Sequence, residues 1–268
     1  MGLVIGAYYW QPDPGSKFAA PYTADDVRRL QRMVAKHCTI PHEFAVITDR
    51  PELFADDPDI RAIPIDKTTH VPGTCYVRLM TFHPEGRALF GAERLLQIDL
   101  DTLIVGNIDH LVTREEDVVL WRNPARVPWE PIVDGTARSM AEWDGTRFVH
   151  RINQNRCYYN TSILYHRLGA APWLWQYATE WNGSPPFKDD QWYLSDFFGD
   201  AAYYFDGERD GVYRIARADT PGSGVHQTLP SNAAIVTFPG SEGKWSDPKI
   251  RRENIWIEMH LNESATTD

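Results

Sequence analysis

The sequence is poor in cysteine, and no apolar run in it reaches the length of a membrane-spanning helix. Its 268 residues contain only Cys38, Cys75 and Cys157, an odd number without the spacing of a metal site. This usage is typical of a reducing compartment, and we expect no reactive role for the thiols. The N-terminal residues carry no basic segment ahead of an apolar one, so a signal peptide is not expected. The sequence therefore predicts a soluble, cytoplasmic chain without a transmembrane segment.

Basic residues are also in deficit. The chain has 27 Lys and Arg against 37 Asp and Glu, which gives a net charge of −10. A general nucleic-acid-binding protein presents a basic surface, so we expect no nucleic-acid partner. A nucleotide ligand stays compatible with this charge, because a divalent ion can carry the contact with its phosphates. The hydrophobic content of 43% and charged content of 24% are those of a globular protein.

The central feature is a mainly apolar segment, residues 95–98, that runs into Asp99 and Asp101 before apolar residues resume. Such a segment predicts a buried strand, and ligands of open α/β sheets bind at the carboxyl ends of strands. On extended backbone, residues two positions apart face the same side, so both carboxylates could face one hard cation. Mg²⁺ and Mn²⁺ suit oxygen ligands of this kind. The alternative is that the two acids are turn residues that end the strand.

One enzyme class with a similar motif is excluded here. Phosphatases of the haloacid dehalogenase type carry their nucleophile in an Asp-x-Asp-x-Thr motif after an apolar strand. In this chain Thr102 follows Asp101 directly, and Leu103 stands where that motif needs threonine. The sequence therefore does not match the motif of this phosphatase class.

The rest of the chain alternates between strand and helix patterns, which predicts an α/β fold in a single domain over residues 1–255 with a C-terminal tail over 256–268. Predicted strands cover residues 3–9, 44–47, 60–65, 118–121, 158–166, 202–205, 212–216 and 233–238, and predicted helices begin near Thr23, Gly73, Ala171 and Asp189. Residues 122–157 lose regular pattern but hold several prolines and tryptophans. We interpret them as a long binding loop, with disorder as the alternative.

Several stretches, taken in order, resemble a known family. They are Tyr8-Tyr9-Trp10 after the first strand, Tyr76-Val77-Arg78-Leu79, Asp99-Leu100-Asp101, Tyr159-Asn160-Thr161, Asp190-Gln191-Trp192, and Phe238-Pro239-Gly240 with Lys244-Trp245. Together they resemble the GT-A glycosyltransferases, most closely the glycogenin-like family 8 and its bacterial relatives, over roughly residues 3–245. The resemblance implies a Rossmann-like nucleotide-diphospho-sugar transferase fold with a mixed central sheet flanked by helices.

The resemblance also implies a donor site. Asp99 and Asp101 would bind Mn²⁺ or Mg²⁺, which bridges the diphosphate of a nucleotide sugar, most simply a UDP-hexose. The other implied site residues are Tyr8, Tyr9 and Asp49 at the nucleoside, Arg78 at phosphate or the donor sugar, Lys244 at the diphosphate, Asn160 at a sugar hydroxyl, and Asp190 with Asp189 at the reacting sugar. The implied reaction transfers a hexose, with retained configuration, to a saccharide or glycolipid acceptor.

Each implied role has a structural alternative. The tyrosines could be core aromatics, and Arg78 and Lys244 could lie on solvated surfaces. Asn160 could be a turn residue, and Asp189 and Asp190 could serve as helix N-caps.

One departure from the family concerns the metal. Family 8 proteins usually carry a third ligand in a His-x-x-Gly-x-x-Lys-Pro-Trp segment, and the equivalent position here is Thr237. His226 is a candidate substitute. The departure favours, as an alternative, a catalytically inactive sugar- or nucleotide-binding relative. A sugar nucleotidyltransferase is less compatible, because residues 11–17 hold only one glycine and one lysine where a phosphate loop would be needed.

A basic cluster lies near the C-terminus, formed by Lys244, Lys249, Arg251 and Arg252 with Trp256. It could contact an anionic membrane surface and make the protein peripheral at the inner membrane face. The alternative is an ordinary solvated face.

Overall fold

The fold is that of a computed structural model, which describes residues 2–11, 22–65, 75–122, 158–180, 187, 189–199, 202–215, 225, 227–238 and 244–263, and the backbone of 142–143 and 148–149. The strands are β1 (Leu3–Tyr9), β2 (Glu43–Thr48), β3 (Arg61–Pro64), β4 (Arg94–Ile98), β5 (Thr102–Ile104), β6 (Val118–Arg122), β7 (Glu142–Trp143), β8 (Phe148–Val149), β9 (Tyr159–Arg167), β10 (Tyr203–Phe205), β11 (Val212–Arg214) and β12 (Ile235–Thr237). The α-helices are α1 (Ala24–His37), α2 (Gly86–Phe90), α3 (Asp109–Val112), α4 (Pro172–Thr179), α5 (Asp190–Phe198), α6 (Gly207–Asp210), α7 (Pro248–Glu253) and α8 (Trp256–Glu263), with 3₁₀ helices at Pro51–Phe54 and Cys75–Phe82.

The central sheet is mixed, with strand order β10-β6-β9-β4-β1-β2-β3. Strands β4, β1, β2 and β3 run parallel, whereas β9 is antiparallel to its neighbours β4 and β6. Residues of β1, β2 and β4 are buried on both faces, which explains their nearly continuous apolar sequences. The predicted mixed α/β architecture is confirmed.

Helices cover both faces of this sheet. On one face, α1 buries Val27, Leu30 and Met33 in the main core. Its first turn is fixed by Asp26, whose carboxylate accepts a 2.8 Å hydrogen bond from the backbone N–H of Thr23, as the capping-box pattern predicts. On the other face, a second apolar cluster joins the 3₁₀ helix Cys75–Phe82 to α4 and α5.

The backbone around the two central acids differs from the expectation. Strand β4 ends at Ile98, and residues 100–101 form a turn, so the acids do not lie on continuous extended backbone. The chain then leaves the central sheet, because β5 pairs antiparallel with β12 in a separate sheet of order β11-β12-β5. The expected helix at Gly73–Phe82 is described only over Cys75–Phe82 and is a 3₁₀ helix.

The topology brings distant segments to one edge of the central sheet. The carboxyl ends of β4, β1 and β2 lie at the same edge because these strands are parallel. Strand β9 begins at that edge because it runs the opposite way, with Ile163 opposite Ile98. Any site built on this edge therefore draws on residues from both halves of the chain.

The C-terminal region corrects two expectations. Residues 256–263, counted with the tail, form α8, and Trp256 and Ile257 are buried in the main core. The basic cluster is also not one surface, because Trp256 is only 5% exposed and Arg251 pairs with Glu258 at 2.5 Å. None of the helices within the described ranges is long and apolar enough to cross a bilayer.

The long loop predicted over residues 122–157 lies mostly outside the described residues. Within it, β7 and β8 pair antiparallel and form a short two-stranded ribbon.

Candidate functional site

Two acids and one arginine form an ion-paired chain at the carboxyl end of β4. Arg78 donates from Nη1 to both carboxylate oxygens of Asp99, at 2.8 Å each, and from Nη2 to Asp190 Oδ1 at 2.8 Å. The Arg78 side chain is 10% exposed, so the two contacts are largely shielded from water. A planar guanidinium is suited to hold two carboxylates in fixed geometry. The structure thus brings three predicted site residues into one cluster.

Asp190 is the most deeply buried acid of this cluster, at 1% exposure. Burial raises the pKa of its carboxyl above the usual range, and Arg78 opposes that rise. Its other oxygen, Oδ2, is buried, and the Thr161 side chain also lowers the pKa of this carboxyl. Asp189 has the helix-capping role considered as an alternative, because its Oδ1 accepts a 3.0 Å hydrogen bond from the N–H of Trp192.

Asp101 pairs with a different cation. Lys244 Nζ lies 2.7 Å from Asp101 Oδ2 and also donates to the hydroxyl of Tyr22. Burial and the neighbouring charge of Asp99 raise the pKa of Asp101, while Lys244 lowers it. The same two acids raise the pKa of Tyr22, after burial as the main cause. Lys244 is therefore not the solvated surface lysine considered as an alternative.

Asp99 and Asp101 offer carboxylate oxygens of the type that a divalent cation takes, although Arg78 holds both oxygens of Asp99. Asp101 Oδ1 is buried and accepts no hydrogen bond from any described residue. Carboxylate oxygens are the ligands that Mg²⁺ and Mn²⁺ prefer, and Mg²⁺ sites often use only one or two carboxylates beside phosphate and water. Across the described ranges, no group of three or more His, Cys, Asp or Glu side chains could hold a metal. Two protein carboxylates would thus be the protein's contribution.

The position assigned to the family histidine lies next to these acids. Thr237 is opposite Thr102 across the β5–β12 pair, and the N–H of Phe238 donates to the carbonyl of Asp101 at 2.8 Å. The Thr237 hydroxyl is buried, so this position contributes a small polar group and not an imidazole. His226, the candidate substitute, lies outside the described residues.

Asn160 contacts the acid turn through one intermediate residue. Its Oδ1 accepts a 2.8 Å hydrogen bond from the N–H of Ser162, and the carbonyl of Ser162 accepts one of 2.8 Å from the N–H of Asp99. The register of β9 against β6 shifts at this point. The amide of Asn160 thus helps to fix the irregular strand that supports Asp99.

The three residues assigned to the nucleoside do not share one face of the sheet. Tyr8 and Tyr9 point to opposite faces, as successive strand residues do. Tyr8 is buried in an apolar cluster with Val77, and the charge of Arg78 partly opposes the burial that raises its pKa. Tyr9 instead packs edge-on against Phe54 at a ring distance of 6.0 Å. Asp49 accepts a 3.1 Å hydrogen bond from the N–H of Gln11 at the end of β1.

Sequence reasoning missed two residues of this region, Tyr22 and Arg29. Tyr22 directly precedes the predicted N-cap Thr23. It is part of the site only because Lys244, which is distant in sequence, contacts its hydroxyl. Arg29 lies between Asp26 and Met33 on α1, at spacings of three and four that place it on the buried stripe. A buried arginine on an apolar helix face is a signal that the sequence does contain.

The fold is similar to those of solved glycosyltransferases. An active-site mutant of LgtC aligns at a TM-score of 0.59 and 15% identity, over 99% of this chain and 97% of that one. The galactosyltransferase LgtC in complex with donor and acceptor sugar analogues aligns at 0.57 and 15%, over the same shares. The apo bifunctional glycosyltransferase WbbM aligns at 0.58 and 10%, over 99% of this chain and 50% of that one.

No protein-family model matches the sequence, and no curated protein matches it. At the identities found among solved structures, the similarity establishes the fold and not the activity. The fold is the GT-A fold that the sequence motifs led us to expect.

Proposed function

We propose that this chain is a metal-dependent glycosyltransferase that moves a hexose from a nucleotide-diphosphate donor, most simply a UDP-hexose, to a saccharide or glycolipid acceptor. The observation that carries the proposal is the pair of adjacent ion-paired clusters, Asp190–Arg78–Asp99 and Asp101–Lys244, at the carboxyl edge of a GT-A sheet. This edge is where nucleotide ligands bind in open α/β sheets.

The charges of the site suit a diphosphate only after a cation is added. Three carboxylates (Asp99, Asp101 and Asp190) and two cations (Arg78 and Lys244) sum to −1. Asp99 and Asp101 would hold Mn²⁺ or Mg²⁺, and the bound ion would stabilise the negative charge of the departing diphosphate without needing a proton. With such an ion the sum becomes +1, which attracts an anionic donor.

Asp190 is the residue we assign to the reacting sugar. Glycosyl transfer builds positive charge on the anomeric carbon, and a carboxylate beside that carbon stabilises it. Arg78 holds one oxygen of Asp190 and opposes the desolvation that raises the pKa of this carboxyl. It therefore links the position of Asp190 to that of Asp99. In this assignment the configuration of the sugar is retained, as the family resemblance implies.

A catalytically inactive relative that only binds a sugar or nucleotide is the second candidate. The specific observation in its favour is the ion pair between Lys244 and Asp101, which neutralises one proposed metal ligand, together with threonine at position 237. The two candidates differ in their requirement for metal and in turnover. A sugar nucleotidyltransferase has no observation in its favour at the described residues.

The test is calorimetric titration of UDP into the protein with Mn²⁺ and again with EDTA. We expect micromolar binding that needs Mn²⁺ and is lost in Asp101→Asn, which keeps the side-chain shape but removes the charge. Asp56→Asn is the matched control, because Asp56 is an exposed acid in the turn before β3. Turnover of UDP-hexoses would then separate the transferase from an inactive binder.

Other outcomes of the same titration would redirect the proposal. If UDP does not bind, GDP, ADP and CMP are the next ligands to titrate. If none of them binds, the transferase assignment is overturned. Binding that is equal with Mn²⁺ and with EDTA would instead support a metal-independent binding protein.

The acceptor side of the proposal includes a membrane-bound glycolipid. Exposed Lys249 and Arg252 on α7 lie near exposed Ile255, between the two helices, and exposed Met259 on α8 in sequence. This composition suits an anionic membrane surface. Pelleting with liposomes that contain or lack anionic lipid tests this part. Equal pelleting in both would remove membrane association from the proposal.

A further inference from the structure

Arg29 on α1 is a buried arginine that contacts its own helix and two other segments. Its side chain is 8% exposed. Nη1 donates to Asp26 Oδ1 at 2.6 Å, and Nη2 donates to the backbone carbonyl of Leu100 at 2.8 Å. The guanidinium carbon lies 3.7 Å from the centre of the Trp245 ring. No described residue partners its Nε, so these three contacts hold the group.

Two of these contacts touch the neighbours of proposed donor-site residues. Leu100 is the residue between Asp99 and Asp101, and its carbonyl belongs to the turn that carries both acids. Trp245 directly follows Lys244, whose ammonium lies 2.7 Å from Asp101. One side chain on α1 therefore joins the acid turn to the segment that supplies the lysine, although these lie 71 and more residues from it in sequence.

We infer that Arg29 is a positioning residue of the donor site. By clamping the Leu100 carbonyl and the Trp245 ring to α1, it keeps Lys244 within reach of the acid turn, on Asp101 in the free protein and on the donor diphosphate once a metal ion takes the charge of Asp101. This inference rests on the proposed function, because it takes Asp101 and Lys244 as donor-site residues. Arg29 itself touches neither carboxylate of the acid turn in the contacts of the described chain.

The chemistry of the contacts requires an arginine. A guanidinium can stack its face on an indole ring while its edge donates hydrogen bonds in two directions. A lysine ammonium is a point charge that cannot do both. Helix α1 is a rigid support for such a clamp, since its capped first turn includes Asp26 and its apolar stripe is buried. Asp26 also balances the charge of Arg29, which keeps the buried guanidinium paired.

The experiment measures UDP affinity with Mn²⁺ by calorimetry in single and paired variants. Arg29→Met and Trp245→Leu should each weaken UDP binding about tenfold, and Trp245→Phe should retain most of the affinity because a ring remains to stack on. Arg28→Met is the matched control. Arg28 is the neighbouring arginine on the same helix and pairs with Asp25 and Asp57, outside the site.

A second background separates positioning from general loss of stability. If Arg29 acts through Lys244, Arg29→Met should change UDP affinity little in a Lys244→Met protein, where there is no ammonium left to position. A general loss of stability would lower affinity by the same factor in both backgrounds. Melting temperatures in the same buffers show whether each variant is folded.

Two results would overturn the inference but leave the proposed function supported by UDP binding to the wild-type protein. One is an unchanged UDP affinity in Arg29→Met, and the other is an equal loss of UDP affinity from Arg29→Met in the Lys244→Met background. Failure of wild type to bind UDP or another nucleotide would overturn the proposed function and the donor-site role of Arg29 with it. An equal loss in Arg28→Met would assign the effect to the charge of α1 and not to the clamp.

Discussion

The ion pair between Lys244 and Asp101 makes a sharp prediction about metal binding. Lys244 neutralises a carboxylate that we assign to a divalent ion, so ammonium and metal compete for the same charge. Replacing Lys244 with methionine keeps most of the length of the unbranched side chain and removes the ammonium that competes with the metal. We expect Lys244→Met to destabilise the protein without metal and to let Mn²⁺ recover much of that loss.

The magnitude follows from burial. The side chains of Lys244 and Asp101 are 17% and 10% exposed, so removal of the ammonium leaves a largely buried, uncompensated carboxylate. Removing one partner of a buried pair costs about 3 to 5 kcal/mol, and the partial exposure of Lys244 favours the lower end, about 3 kcal/mol. For a protein of this length that lowers the melting temperature by about 6 °C.

Mn²⁺ should then reduce the difference in stability between Lys244→Met and wild type. An ion present at about 100 times its dissociation constant adds about 2.7 kcal/mol of stability to a protein that binds it only when folded. Wild type must release Lys244 from Asp101 to gain the same ion, so its stabilisation is smaller. In Mn²⁺, the difference in melting temperature between Lys244→Met and wild type should fall to less than half of its value in EDTA.

Differential scanning calorimetry in EDTA and in Mn²⁺, without nucleotide, is the assay. Lys249→Met is the control, since Lys249 is an exposed lysine on α7. An equal gain in melting temperature from Mn²⁺ in wild type and Lys244→Met would refute the competition. Unchanged stability of Lys244→Met in EDTA would refute the dependence of Asp101 on the lysine.

Three further predictions concern buried polar groups. Asp190→Asn should reduce hexose transfer at least about 100-fold and change UDP affinity less than about threefold, measured by turnover and calorimetry; a retained rate would exclude Asp190. Arg78→Lys, whose single ammonium cannot hold both Asp99 and Asp190, should cost about 2 kcal/mol in urea unfolding, and an unchanged midpoint would contradict the bridge. Burial lowers the pKa of His166 to about 4, so the unfolded chain binds the extra proton as pH falls from about 6.5 to 4 and stability falls by about 3 kcal/mol. His166→Gln should not show this part of the loss of stability at acidic pH.

Local patterns in the sequence predicted the strand that leads to the acids. Leu95, Leu96 and Ile98 are apolar and become buried, and β4 ends at Ile98, directly before Asp99. The start of α1 was equally readable, because the exchange between Thr23 and Asp26 involves residues three apart. Such features depend on interactions within a few residues, which is why the sequence alone contains them.

The path of the backbone after Asp99 was not readable from its own residues. Apolar residues continue on both sides of Asp101, which favours one long strand. After the turn at residues 100–101 the chain enters β5, which pairs with β12, whose residues lie more than a hundred positions later. Propensity does not specify a partner at that distance.

The sequence by itself determined the alternating α/β order, the buried strand before Asp99 and the acids and aromatics available for a site. Only the tertiary structure decided which charges meet. Arg78 and Asp190 are 112 residues apart, and Lys244 is 143 residues from Asp101. The first pair forms because the 3₁₀ helix Cys75–Phe82 and α5 pack on the same face of the sheet, and the second because the chain returns past β12 to α1. Ion pairs of this kind follow from where buried surfaces pack together, which is a property of the whole chain and not of any local pattern.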